Sequence, residues 1–92
     1  MPDYLLRRDA FEAGRVFFLA RGRYLSLRLR HEVREQDYQD VFGAALKYEL
    51  ALLRFADTEY GDHLWAKAVL KRLRQIVSNF SANYNLNPPP QI

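Results

Sequence analysis

Apolar residues recur at spacings of three and four along three stretches of the chain, which is the period of an α-helix. In the last stretch Trp65, Val69, Leu73, Ile76, Val77, Phe80 and Tyr84 trace one face, while Lys67, Lys71, Arg74 and Ser78 trace the opposite one. Asp62, following Gly61, is placed to cap this element, and the cations in its later half suit the negative end of the helix dipole. A helix over about 62–81 is predicted. In the middle stretch Tyr38, Val41, Phe42, Ala45, Leu46, Leu52, Leu53 and Ala56 form an apolar stripe. It predicts a helix over about 37–56, with Asp37 as its cap and Asp40 adding negative charge to the first turn. Gly43 inside it costs ~1 kcal/mol relative to alanine, so it is expected to mark a close helix contact.

The first stretch admits two readings. As a helix over about 4–34, Phe11, Gly14, Phe18, Gly22, Leu25, Leu29 and Val33 form one stripe, and Val16, Ala20 and Leu27 form a second well around the wheel. As strands, residues 23–30 alternate polar and apolar, with Leu25, Leu27 and Leu29 on one face and Val16 to Ala20 as the hairpin partner. Arg21-Gly22 is a poor two-residue turn, because both central positions of the favoured type need positive φ. Arginine and leucine are also good helix formers. The helix reading makes the chain an all-α bundle of three helices over residues 1–82 with a proline-rich tail over 83–92. The alternative is an α+β fold with a hairpin at 16–30 followed by two helices.

Two separated stripes on one helix cannot both face one small core. A second subunit covering one of them is the expected remedy, and an isologous dimer is its commonest form. Phe17, Tyr24 and Leu27 on the first helix are the residues expected to meet that partner. Gly14 and Gly22 would permit close helix approach.

Composition narrows the class. The chain has 92 residues, 49% hydrophobic and 27% charged, which is a single globular domain with room for one modest core. Thirteen aromatics help, since each buried ring removes ~150–250 Å² from water. With no cysteine there is no disulfide, thiolate metal site or cysteine nucleophile. No apolar run approaches the ~18 residues of a membrane span, and the first residues lack the regions of a signal peptide, so a cytoplasmic protein is expected.

Charge is polarised along the chain. Residues 1–34 carry eight arginines against four acids, residues 35–62 carry seven acids against Lys47 and Arg54, and residues 63–92 carry four cations and no acid. The acidic middle either folds against the basic ends or leaves them free for an anionic partner. In the second case Arg21, Arg23, Arg28, Arg30, Lys67, Lys71, Arg72 and Arg74 would contact nucleic-acid phosphates, giving salt-dependent and sequence-independent affinity.

Little points to catalysis. The pairs Glu59 with His63 and His31 with Glu35 each offer two metal ligands, whereas a catalytic zinc takes three. Glu49, inside an apolar rhythm, reads as the partner of an arginine such as Arg15 or Arg54. The four glycines are scattered, so there is no phosphate loop, and no nucleophile elbow is present. No cofactor, metal or small-molecule substrate is expected. The sequence therefore favours a non-enzymatic helical interaction module, an adaptor or regulatory subunit acting as a homodimer or within an assembly. A basic nucleic-acid-binding protein is the alternative.

Overall fold

The computed structural model describes residues 3–57 and 63–89. It contains α1 (Asp3–Leu29), α2 (Glu35–Ala56) and α3 (His63–Leu86), with no strand among the described residues. Residues 16–30 lie within or directly after α1, so the hairpin alternative is excluded. The three helices run up, down and up in a rod of 48 × 19 × 19 Å. Ring contacts near both ends fix this direction: Phe11 meets Trp65 at 5.2 Å, and Tyr24 meets Phe80 at 4.7 Å.

The helix ends depart from the sequence reading for local reasons. α1 stops at Leu29 rather than running to about 34. His31 takes a left-handed conformation, with φ of 57°, and the Glu32 N–H donates to the Leu27 carbonyl while the His31 N–H donates to the Arg28 carbonyl. This pair of bonds is the Schellman closure, normally built on glycine at that position. α2 starts earlier than expected: Arg34 is the N-cap, and Asp37 is its third helical residue, accepting the Arg34 N–H at 2.8 Å. At its other end the Asp57 N–H donates to the Leu53 carbonyl. α3 continues past 81 to Leu86, so residues 83–86 of the expected tail are helical. Tyr84 there packs on Tyr38 and Phe42, which explains the extension. The expected cap Asp62, the turn at 58–61 and Pro90 lie outside the described residues.

Two kinds of interface build the core. Between α1 and α2 small residues meet: Ala10 is fully buried, Ala13 lies beside Ala51, and Ala20 lies beside Ala44. Small side chains let these backbones approach closely, with Phe17, Val41 and Leu52 filling the space beneath. Between α1 and α3 the contact is made by rings instead. At one end of the rod Tyr24 meets Phe80 within a cluster that Tyr38 and Phe42 of α2 and Tyr84 complete, its rings edge-on or tilted with centroids 4.7–5.8 Å apart. Phe11, Phe55 and Trp65 form another at the far end. No Cα of α1 comes within 8 Å of a Cα of α3. For near-parallel helices this places the axes roughly 12 Å apart or more, against the usual 8–10 Å. α2 is thus the corner of an open, L-shaped arrangement.

The glycines sort accordingly. A Cβ on Gly14 would stand 2.8 Å from the Tyr48 ring, so this glycine is required where that ring crosses α1. Gly43, expected at a close contact, has nothing within 4 Å of such an atom, and the same is true of Gly22.

Candidate interaction surface

α1 has a strict seven-residue repeat, and the structure uses only part of it. Its core seam is Ala10, Phe17 and Tyr24, joined by Leu6, Ala13 and Ala20. One residue further on, Tyr4, Phe11, Phe18 and Leu25 form a second row, seven apart, exposed by 70%, 52%, 49% and 38%. A helix turns about 100° per residue, so this row lies at the edge of the core beside the opening between α1 and α3: Phe11 packs on Trp65, and Phe18 on Phe17 and Tyr48, with about half of each residue left in water. It extends for roughly 30 Å along the rod.

The far wall of that opening comes from α3. Ile76, Asn79 and Asn83 face Arg21, Leu25 and Arg28 across a shallow cleft, with Tyr24 and Phe80 at its base. The Asn83 side-chain amide donates to the Tyr24 hydroxyl, satisfying a phenol that is otherwise buried. Arg72 precedes Ile76 by four residues and shares its face of α3. Arg7 lies 5.5 Å from the Phe11 ring centre, over its face, a cation–π contact on the open row.

The residues expected at the partner face are placed differently. Phe17 is fully buried and Tyr24 is 3% exposed, so both belong to this subunit's own core and neither is presented to a partner. Leu27 is partly buried, and its carbonyl closes the α1 terminus. The reason is rotational register: Gly14 and the small residues Ala10, Ala13 and Ala20 admit α2 on their side of α1. Of the first stripe read from the sequence, Phe11, Phe18, Gly22, Leu25 and Leu29 are exposed, while Gly14 is buried and Val33 packs against the core.

The basic residues do not gather on one track. Arg21 and Arg28 flank the α1–α3 cleft, and Arg72 joins them from α3. Arg23 turns to α2, 3.9 Å from Asp37, and Arg74 turns to α2, 3.6 Å from Glu49. Glu49 thus pairs with Arg74, not with Arg15 or Arg54. Lys67 and Lys71 lie along the stripe of Arg74, and Arg30 sits in the turn after α1. The acidic middle therefore covers part of the basic set, while Arg21, Arg28 and Arg72 have no acidic partner among the described residues.

The acidic end of α2 is occupied by its own polar network. Gln36 donates to Asp40 at 2.8 Å, Gln39 donates to Glu35 at 2.9 Å, and the Tyr84 hydroxyl donates to Glu35 at 2.8 Å. That last bond, aided by burial and the carboxylate charge, raises the Tyr84 pKa. Burial raises those of Tyr38 and Tyr48. The Glu59 and His63 side chains lie outside the described residues, and no group of three potential metal ligands occurs among those described. No described helix is long and apolar enough to cross a membrane. Comparison with protein-family models, curated proteins and solved structures found nothing that matches this chain.

Proposed function

We propose that this protein is a non-enzymatic interaction module of the cytoplasm that docks a protein partner on the open face between α1 and α3. One observation carries the reading: the apolar row Tyr4, Phe11, Phe18 and Leu25 on a helix whose core seam is already satisfied. Phe11 and Phe18 each leave on the order of 100 Å² of ring in water, worth about 2.5 kcal/mol apiece when covered. A soluble domain rarely keeps such a row without a use for it. With its glycines scattered and no nucleophile elbow in its sequence, the chain supports binding rather than chemistry as the task of this surface.

The test replaces Phe18 with photoreactive p-benzoylphenylalanine in cells that make the protein, with Gln36 on α2 as the control position. Irradiation is expected to yield a discrete adduct from position 18 and none of that size from position 36. An adduct of twice the 10.9 kDa chain would identify a second copy, and any other mass a different protein. No discrete adduct from position 18, or the same adducts from both positions, would contradict the proposal.

A further inference from the structure

We infer that the partner on the α1–α3 face is an amphipathic helix with acidic flanks, rather than a second copy of this chain or a nucleic acid. The inference deepens the docking reading above and rests on it. Its first support is geometric. Two near-parallel helices held apart by rings, with a corner helix behind them, leave the place that a fourth helix takes in a bundle. From Phe11 to Leu25 the row spans roughly 21 Å, which a partner helix of about 14–20 residues would cover.

The second support is charge. On a helix the neighbours of a residue are those three and four away. For Phe11, Phe18 and Leu25 these are Arg7, Arg8, Gly14, Arg15, Arg21, Gly22, Arg28 and Leu29: five arginines and no acid. The α3 wall adds Arg72, and the sequence of α3 contains no acidic residue at all. Among these cations Arg8 and Arg15 have acidic neighbours on α1, at 3.5 and 2.5 Å, both pairs exposed to solvent. The carboxylates of α2 are turned elsewhere, to Arg23, Arg74 and Tyr84. An apolar row whose charged neighbours are all cations favours a partner row bordered by anions.

The same charges argue against the other occupants. A two-fold pairing of this face with itself would set arginine rows against each other. Docking the acidic side of a second copy onto it would be head-to-tail and would propagate rather than close. A nucleic acid would find rings on this row, but Arg23 and Arg74, two of the cations its backbone would need, are directed at carboxylates.

The experiment uses fluorescently labelled 21-residue helical peptides that share a leucine stripe at heptad positions and differ only in its flanks: Glu, Gln or Lys. Anisotropy titrations with the full chain at low salt are expected to rank them Glu, then Gln, then Lys, with at least tenfold between first and last. The Phe11→Ser/Phe18→Ser double variant should lose at least tenfold for the Glu peptide. Arg21→Glu/Arg28→Glu, which keeps the apolar row, should invert the ranking. These positions lie on the open face, and circular dichroism and the thermal midpoint of each variant check that the fold is retained. Equal binding of all three peptides would leave docking intact and overturn the acidic partner. No binding by any peptide, together with no adduct from position 18, would overturn both. A twice-mass adduct from position 18, or a 20-nucleotide single strand that binds more tightly than the Glu peptide, would overturn this inference alone.

Discussion

Phe17 and Phe18 are identical in chemistry and adjacent in sequence, yet one is fully buried and the other is half in water. Neither residue's identity decides this; the register of α1 does, set where Gly14 meets Tyr48. Tyr48 also carries a test at this scale. Burial raises its pKa and that of Tyr38 above the ordinary 10, and the bond to Glu35 raises that of Tyr84. In the window above 10 the folded chain keeps phenolic protons that the unfolded chain has released. Proton loss then favours unfolding, so the stability these groups contribute is whole below pH 10 and declines as pH rises through their folded values. Urea denaturation is expected to show a lower midpoint at pH 11 than at pH 9, and Tyr38→Phe/Tyr48→Phe should shrink that difference. A difference of the same size in the double variant would count against the account of these phenols.

At the scale of elements, α3 and α2 were readable because Val41, Leu52 and Phe80 lie where their spacing places them, although Leu46 and Leu53 of the expected α2 stripe face water while Ala44, Tyr48 and Phe55 are buried. The end of α1 was not readable. Its stop depends on His31 adopting a left-handed backbone, a position where glycine is usual, and neither glycine nor proline stands between 30 and 34 to announce it. The rotation of α1 was hidden for another reason. Ala10, Phe17 and Tyr24 and Phe11, Phe18 and Leu25 are both apolar rows seven apart, and only packing with α2 chooses between them. Substituting the cap tests this local account. His31→Gly is expected to stabilise the fold by about 1 kcal/mol, because the residue no longer strains against positive φ. Gly14→Ala should destabilise it by about 1–3 kcal/mol through the Tyr48 clash. Thermal denaturation of both variants measures this; a lowered midpoint for the first or an unchanged one for the second would refute it.

The whole molecule is a three-helix corner with four carboxylates on α2, and with Arg21, Arg28 and Arg72 lacking an acidic partner among the described residues. Polarised charge was legible from the blocks of the sequence, but its consequence was divided. Asp37 and Glu49 of α2 pair with Arg23 and Arg74, while Arg21 and Arg28 line the cleft with Leu25. The central claim, that α1 carries more apolar face than its own subunit covers and uses the excess for docking, is tested most directly by hydroxyl-radical footprinting of the unaltered protein. Tandem mass spectrometry resolves oxidation at the neighbouring rings Phe17 and Phe18, whose intrinsic reactivity is the same. Phe18 should be oxidised at least tenfold faster than Phe17 in the free chain, and should be protected, with Phe17 unchanged, when the Glu-flanked peptide is bound. Equal oxidation of the two rings, or no protection of Phe18 on binding, would contradict it.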